Sequence, residues 1–274
     1  MPDAKTGLMT GKRGLVMGVA NHNSIAWGIA AQLAAQGAEV GLAYMEMNER
    51  RVRPLGESIG VKVWTTFDAS SDKSMAAAFK VAEDAWGSMD FLVHAIAFAD
   101  RDQIKGSFVE NATREAFARA LDISAYSFVD ASRRAAALMP NGGSVVTLTY
   151  LGSERAIPNY NTMGVAKAAL EASMRYVARD LGPKGIRVNA ISAGAMRTLS
   201  LAGISGGRSM LSQGRALSAL KEDTSMEGVA GCALWLLSDI GRSTTGEVVH
   251  VDAGFHMMGL PSEEEAAPAP AAAS

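Results

Sequence analysis

Short apolar runs alternate with longer segments of helical periodicity along the chain, and this alternation restricts the possible folds more than any other feature. Runs typical of buried strands occupy residues 14–19, 39–44, 61–66, 91–96, 144–149, 186–191 and 247–251. Helical patterns separate them, chiefly at 25–36, 73–86, 113–138 and 160–181. Strands that alternate with helices form right-handed crossovers and a parallel sheet. The sequence therefore predicts an α/β fold with a seven-stranded, doubly wound parallel sheet.

The same rhythm continues without an internal repeat or a Pro/Gly linker, which predicts one Rossmann-type domain over residues 1–260 rather than two domains. The longest stretch without a clear strand or long helix follows the sixth strand and is rich in Gly, Ser, Leu and Met. We interpret it as a substrate lid at about residues 195–222. The segment PSEEEAAPAPAAAS, residues 261–274, predicts a disordered tail.

Charge and composition exclude several classes of protein. The formal net charge is −2, which argues against a nucleic-acid partner. The first residues lack an apolar stretch of the length that a signal peptide needs, and no apolar run reaches the roughly eighteen residues that a membrane span needs. With Cys232 alone, no intrachain disulfide forms, and the histidines lack a metal-ligand spacing, so no metal site is predicted. These features predict a cytoplasmic protein.

The loop between the first strand and the first helix has features of a phosphate-binding turn. Gly18 at the strand end permits a tight turn, and Ser24 offers a hydroxyl where the helix begins. Ser24 and Ile25 stand where the usual glycine-rich fingerprint has glycines, so an ordinary turn in which Ser24 caps the helix is the alternative.

Candidate adenosine contacts follow the second and third strands. Asp68 closes the third strand and is placed to accept a hydrogen bond from an adenine amino group; its alternative role is a cap for the following helix. Met45 replaces the acid that commonly binds the ribose after the second strand, and we expect it to line the adenosine pocket.

For a nicotinamide dinucleotide bound at this loop, the charges beyond Met45 determine the preference between NADH and NADPH. Glu46 repels a 2′-phosphate and favours NADH. Three nearby basic side chains, which leave NADPH possible, are Arg50, Arg51 and Arg53.

Tyr160 and Lys167 are seven residues apart, so on a helix they project from one face about two turns apart. A tyrosine hydroxyl is protonated at neutral pH and donates a hydrogen bond where negative charge develops, while an ammonium beside it binds ribose hydroxyls. The alternative is a tyrosine packed in the core with a lysine that reaches solvent.

Several longer motifs carry a family resemblance, namely GVANHNSIAWGIA, FLVHAIAFA, DISAYSFV, LTYLGSERAIPNYNTMGVAKAALEASMRY, GIRVNAISAGAMRTL and GEVVHVDAGF. In these motifs, over about residues 7–258, the chain resembles the short-chain dehydrogenases/reductases, and more narrowly the bacterial type I enoyl-[acyl-carrier-protein] reductases. The resemblance implies NADH-dependent reduction of trans-2-enoyl thioesters in fatty-acid elongation, with acyl carrier protein as the partner that carries the substrate. It also implies a homotetramer built on the helices at 113–138 and 160–181.

The resemblance assigns roles to individual residues. It implies dinucleotide binding by Gly18, Ser24, Ile25, Asp68, Ala69, Ile96, Lys167, Met196, Thr198 and Leu199. It implies that Ala99, Tyr150 and Tyr160 contact the substrate, and that Tyr150, Tyr160 and Lys167 form the catalytic group.

Two other functions stay open. Ketone-reducing relatives have a serine thirteen residues before the tyrosine, where this chain has Thr147, whose hydroxyl can still assist reduction of a 3-oxoacyl or other carbonyl group. Tyr150, ten residues before Tyr160, favours enoyl reduction. The second alternative is a dinucleotide-binding sensor without catalysis, for which neither tyrosine nor a long lid is needed.

Overall fold

The computed structural model describes residues 7–260, in which seven strands form one parallel sheet. The strands are β1 (Arg13–Met17), β2 (Glu39–Tyr44), β3 (Val63–Thr66), β4 (Phe91–His94), β5 (Gly143–Thr149), β6 (Ile186–Ala193) and β7 (Val248–Val251). Their order across the sheet is β3-β2-β1-β4-β5-β6-β7, and every neighbouring pair is parallel. This order confirms the predicted doubly wound sheet. From β1 the chain adds β2 and β3 on one side, and it then adds β4 to β7 on the other side, so the strand order changes direction between β1 and β4.

Ten α-helices accompany the strands within the described residues. They are α1 (Ile25–Ala35), α2 (Glu49–Ser58), α3 (Asp72–Trp86), α4 (Phe108–Asn111), α5 (Arg114–Leu121), α6 (Ser127–Ala137), α7 (Asn161–Leu181), α8 (Leu199–Ala202), α9 (Gly207–Leu217) and α10 (Met226–Leu237). The sequence patterns did not single out α2, α4 and α10. Pro54 lies inside α2, α4 is about one turn long, and α10 is predominantly apolar.

Alternate residues of the strands bury on opposite faces of the sheet, as the two-residue period of a strand requires. Val16 belongs to the cluster formed with α1 and α10, whereas Leu15 and Met17 belong to the cluster formed with α3, α6 and α7. Because both faces are covered, the strands read as continuous apolar runs rather than as alternating ones.

The helix predicted at 113–138 is confirmed, but its middle is wound as a π-helix. A π-helical segment, Asp122–Tyr126, separates α5 from α6. The hydroxyl of Ser124 lies 3.0 Å from the Phe98 nitrogen and 3.1 Å from its carbonyl oxygen, and the hydroxyl of Ser127 donates to the carbonyl oxygen of Ile123 at 2.7 Å. These contacts widen the helix locally where it meets the loop after β4, and such widened turns often accompany functional sites.

The region predicted as a lid is more ordered than its composition suggests. Strand β6 continues to Ala193, and the segment beyond it contains α8 and the eleven-residue α9. The predicted tail at 261–274 lies outside the described residues. Among the helices of residues 7–260, none combines the length and the apolar composition needed to cross a bilayer.

Candidate active site

A cleft opens at the carboxyl edge of the sheet, where β1, β4, β5 and β6 end beside α7 and the segment that contains α8 and α9. Predicted site residues that line this cleft are Gly18, Ser24, Ile25, Ile96, Tyr150, Tyr160, Lys167, Met196, Thr198 and Leu199. They come from distant parts of the sequence and meet because the carboxyl ends of parallel strands share one edge. Ligands of doubly wound proteins bind at this edge.

The loop after β1 is shaped for close approach of a ligand. Gly18 has φ +102°, and a methyl group there would overlap the carbonyl oxygen of Ala95. The hydroxyl of Ser24 accepts hydrogen bonds from the backbone nitrogens of Ala20 and Asn21, at 3.0 Å each, so it organises the loop. Ser24 makes no side-chain cap to α1, and the first turn of α1 carries no acid. The N–H groups at the start of α1 therefore suit a pyrophosphate.

Tyr150 and Tyr160 form an edge-to-face pair, with ring centroids 4.8 Å apart and an interplanar angle of 65°. Tyr150 directly follows β5, and Tyr160 directly precedes α7. The contact depends on two glycines, because a methyl group on Gly152 would overlap the Tyr160 ring, and one on Gly164 would lie 2.6 Å from the carbonyl oxygen of Gly152. The strand end and the helix start can therefore pack closely enough to bring both hydroxyls to one cleft.

Both hydroxyls stay protonated at neutral pH. Burial raises the pKa of Tyr160, and the neighbouring Tyr150 and Glu171 raise it further. Burial also raises the pKa of Tyr150, to about 12, with a smaller contribution from Asp252. Both side chains therefore act as hydrogen-bond donors rather than as bases.

Lys167 lies two turns along α7 from Tyr160, as predicted, and is buried. Its Nζ donates a hydrogen bond to the carbonyl oxygen of Leu148 at 2.7 Å. Burial lowers its pKa to about 8, while the charge of Glu171 acts in the opposite direction. The ammonium form still predominates at neutral pH.

Thr147, the residue on which the ketone-reductase alternative rests, does not line the cleft. It is fully buried and pairs with His94 in the sheet register. Its hydroxyl lies 3.1 Å from the His94 carbonyl oxygen and 3.0 Å from the ring Nδ1. The Thr147 hydroxyl is thus engaged inside the sheet and does not assist a substrate carbonyl.

His94 provides a test of this buried arrangement. Burial lowers the pKa of the ring to about 3, and the charge of Lys167 contributes. The unfolded chain binds a proton on this ring below about pH 6.5, whereas the folded chain does not until about pH 3. The free energy of unfolding should therefore fall by about 2 kcal/mol between pH 7 and pH 5 from this residue alone. We expect urea titrations to show a shallower pH dependence for His94→Gln than for the wild type.

Substitution of the exposed His22 by Gln is the matched control, and it should keep the pH dependence of the wild type. Parallel curves for the wild type and His94→Gln would mean that His94 is not held neutral by the fold.

The loop after β4 brings Ala99 toward the tyrosines. The π-helical segment holds this loop through Ser124 and Phe98, as described above. Ala99 packs, with Tyr150, against a small cluster that includes Tyr160 and Met163. Ala99 itself does not line the cleft, and its contact with the substrate stays a prediction.

Met45, Asp68 and Ala69 lie beyond the cleft, after β2 and β3 at the same edge of the sheet. Asp68 Oδ1 accepts hydrogen bonds from the nitrogen and the hydroxyl of Ser70, and these bonds lower its pKa. The cap of α3 is Ser71, so the alternative role of Asp68 as that cap is wrong. The adenosine contacts of Met45, Asp68 and Ala69 stay predictions.

One of the three arginines weighed for a 2′-phosphate is already engaged. Arg53 Nε donates to Glu49 at 2.9 Å, and its guanidinium lies 4.3 Å from the centre of the Trp64 ring. Glu49 also accepts a hydrogen bond from the Tyr44 hydroxyl at the end of β2. The guanidinium is therefore neutralised by a carboxylate beside the position where the ribose is expected.

Sequence reasoning missed several residues of the site. Glu171 and Thr149 form a buried hydrogen bond next to Lys167, and the four-residue spacing of Lys167 and Glu171 along a helix was the available signal. Ala193 and Gly194 line the cleft at the end of β6, where the strand edge itself was the signal. In residues 7–260 no group of three His, Cys, Asp or Glu side chains is arranged to hold a metal ion.

A doubly wound sheet with this tyrosine and lysine on one helix at its carboxyl edge defines a short-chain dehydrogenase/reductase. Comparison with known proteins narrows the class. The sequence profile described as enoyl-(acyl carrier protein) reductase matches residues 18–256. Enoyl-[acyl-carrier-protein] reductase [NADH] 2 of Rhizobium meliloti is 50% identical over 259 residues, which cover 94% of this chain and 96% of that protein. The corresponding NADH enzyme of Rickettsia felis is 47% identical, over 93% of this chain and 98% of its own length.

Solved structures agree with the sequence comparison. The enoyl reductase of Anaplasma phagocytophilum in complex with NAD has a TM-score of 0.90 at 50% identity, covering 94% of this chain and 98% of that chain. The Bacillus cereus enzyme with NADP+ and an indole naphthyridinone has a TM-score of 0.90 at 44% identity, covering 93% of this chain and all of that chain. The chain belongs to the enoyl-[acyl-carrier-protein] reductase family, and the resemblance seen in its motifs is confirmed.

Proposed function

We propose that this chain reduces trans-2-enoyl thioesters to saturated acyl thioesters with NADH, using Tyr150, Tyr160 and Lys167 in the cleft. An NADH-dependent enoyl reductase of fatty-acid synthesis is what the sequence predicted, and the similarity to the Rhizobium and Rickettsia enzymes confirms it. The observation that supports the residue roles is the contact of two protonated tyrosines in a cleft that a buried lysine also lines. The Thr147 hydroxyl, in contrast, faces His94 instead of the cleft.

The residues present fit a nicotinamide dinucleotide. The positive φ of Gly18 and the uncapped start of α1 suit the pyrophosphate, and Lys167 suits the nicotinamide ribose. Ile96, Met196 and Leu199 supply apolar surface for the ring. When bound, the reduced nicotinamide supplies the hydride that the reaction needs.

The protein side chains then act on the charge that develops on the substrate. Addition of hydride at C3 of the enoyl thioester moves electron density to the thioester oxygen. The Tyr160 hydroxyl donates a hydrogen bond to that oxygen, and Tyr150 beside it limits where the acyl chain lies. The resulting enolate takes a proton from solvent at C2, which gives the saturated product. A preorganised donor of this kind in a site shielded from water stabilises the transition state more than it would in water.

The choice of NADH follows from the residues after β2. Glu46 is exposed at the turn that follows Met45, and Glu49 neutralises Arg53. A 2′-phosphate would meet these carboxylates, which supports the NADH preference over the NADPH alternative. Arg50 and Arg51 remain exposed on α2 and keep NADPH as a weaker alternative cofactor.

We assign the acyl carrier protein to a groove beside the cleft. The groove shares Thr198, Leu199 and Leu201 with the cleft and is bordered by α8 and α9. Three exposed arginines line it, namely Arg197, Arg208 and Arg215, against one acid, Asp223. Its positive charge suits an acidic carrier and the phosphate of its prosthetic arm.

Replacing Arg208 and Arg215 by Ala together should raise KM for an enoyl-carrier substrate about tenfold, because two charge-assisted contacts are lost. KM for an uncharged enoyl N-acetylcysteamine thioester should not change, and the exposed Arg242→Ala is the control outside the groove. Steady-state kinetics at low and high salt check the result. An equal rise in KM for both substrates would contradict binding of the carrier protein in this groove.

We further propose that the chain acts in the cytoplasm as a homotetramer and that residues 1–260 form one reductase domain with a lid at about 195–222. The exposed Tyr126 and Tyr176 on the two helical segments predicted to form the interface support assembly there. The direct test of function is turnover: NADH must be consumed with an enoyl-carrier substrate, and mass spectrometry must show the saturated product. NADH binding without turnover would favour the non-catalytic sensor.

A further inference from the structure

Two buried charged side chains of α7 are tied to the end of β5, directly before Tyr150. Lys167 donates to the Leu148 carbonyl oxygen at 2.7 Å, and one turn further along the helix Glu171 Oε1 accepts a hydrogen bond from the Thr149 hydroxyl at 2.5 Å. Only 5% of Glu171 is exposed. A buried carboxylate costs free energy unless hydrogen bonds and an opposite charge offset its loss of hydration.

Glu171 reaches the active site from one side and solvent from the other. Thr149, its hydrogen-bond partner, lines the cleft together with Tyr160 and Lys167. On the other side of α7, Glu171 lines a surface pocket between α7 and the start of β7. The Glu171 carboxylate is therefore linked to the cleft through Thr149.

Of the groups around Lys167, Glu171 provides the negative charge that compensates the Lys167 ammonium. Tyr150 and Tyr160 are protonated, and His94 of β4 is held neutral by burial, with its pKa lowered to about 3. On the pocket side, the charged residues that line the same wall as Glu171 are Glu154, Arg175 and Glu247. Among these groups, it is the charge of Glu171 that acts on Lys167.

We propose that Glu171 is a positioning residue for the reductase reaction: its carboxylate, fixed by Thr149, keeps Lys167 in the ammonium form and in place beside Tyr160. The inference rests on the proposed function, because it requires an ammonium at Lys167 to hold the nicotinamide ribose. The pair of hydrogen bonds also fixes the end of β5, from which Tyr150 projects.

Removing the negative charge of Glu171 should change the pKa of Lys167 in a defined direction. Burial lowers the pKa of Lys167 to about 8, and the carboxylate opposes a larger decrease. Without that carboxylate the pKa of Lys167 falls further, so the ammonium is lost at a lower pH. Acid should restore it, whereas a purely structural defect would not be repaired by protons.

The test is the pH dependence of NADH affinity and of kcat/KM for an enoyl thioester in Glu171→Gln. We expect the alkaline limb of both profiles to move to lower pH by about one unit, the scale on which an opposite charge shifts a pKa. At about pH 6, where Lys167 is protonated in both proteins, the variant should come within about threefold of the wild type. Fluorescence titration of NADH gives the affinity without requiring turnover.

A second variant and a matched control separate charge from packing. Thr149→Val keeps the volume of the side chain and the Glu171 carboxylate but removes the hydrogen bond that holds this carboxylate in place. Its alkaline limb should move in the same direction by a smaller amount. Glu247→Gln removes an exposed carboxylate of the same surface pocket and should leave both profiles unchanged.

A folded Glu171→Gln whose profiles superimpose on those of the wild type, or are lowered by one factor at every pH, would overturn the proposal. If Glu171→Gln does not fold, an unshifted Thr149→Val profile has the same meaning. Failure of the proposed function is distinguishable from both, because the wild type itself would then not reduce the enoyl thioester.

Discussion

Tyr160→Phe is expected to lower kcat for enoyl reduction by about a hundredfold or more, which corresponds to loss of about 2.7–4 kcal/mol of transition-state stabilisation. The ring remains, so its edge-to-face contact with Tyr150 and the packing over Gly152 should persist. The hydroxyl that would meet the developing negative charge is removed. Affinity for NADH should stay within about threefold, because the ribose contact is assigned to Lys167.

Tyr176→Phe is the control, since Tyr176 lies on α7 but does not line the cleft. It should retain the kinetics of the wild type. If Tyr160→Phe kept most of the wild-type kcat, the oxygen of the thioester would have to be stabilised by another donor, and Tyr150 would be the first candidate.

Gly18→Ala is expected to abolish tight NADH binding and to lower the free energy of unfolding by about 2 kcal/mol or more. Gly18 has φ +102°, which side chains rarely adopt, and a methyl group would overlap the carbonyl oxygen of Ala95. Neither backbone segment can move without disturbing the β1 and β4 ends that form the floor of the cleft. Urea titration and fluorescence titration of NADH measure the two effects.

Gly231→Ala is the matched control, because Gly231 lies inside α10 and a methyl group there meets no atom within 4 Å. That substitution should stabilise the protein by up to about 1 kcal/mol, through helix propensity and a restricted unfolded chain. A Gly18→Ala protein with wild-type stability and NADH affinity would show that the loop is not a tight phosphate-binding turn.

The sheet was predictable because burial on both faces leaves an unmistakable pattern. β2 was predicted with both ends correct. Both ends of each of the other six strands were predicted to within two residues. The position of Tyr160 and Lys167 on one helix was equally accessible, since helical periodicity alone brings them to one side.

The interruption between α5 and α6 could not be predicted in the same way. It depends on the Ser124 hydroxyl, which accepts a hydrogen bond from the nitrogen of Phe98 and donates one to its carbonyl oxygen, and Phe98 is distant in sequence. The local sequence favours an unbroken helix, and only tertiary contacts select the wider turn. Thr147 illustrates the same limit, because its spacing from Tyr160 matches a catalytic serine while its hydroxyl turns toward His94.

The substrate preference was harder to predict than the dinucleotide-binding fold. Tyr160 and Lys167 indicate the superfamily but do not choose the substrate, so the sequence distinguishes enoyl from ketone reduction chiefly through Tyr150. In the structure Tyr150 contacts Tyr160 at the cleft, whereas Thr147 does not line the cleft.

A side-by-side measurement of kcat/KM for an enoyl thioester and a 3-oxoacyl thioester of the same chain length and carrier, with NADH, tests the central claim most directly. We expect the enoyl substrate to be favoured by at least about a hundredfold, since no second hydroxyl from Thr147 assists a ketone. Preferential reduction of the 3-oxoacyl thioester would contradict the claim and make the chain a carbonyl reductase.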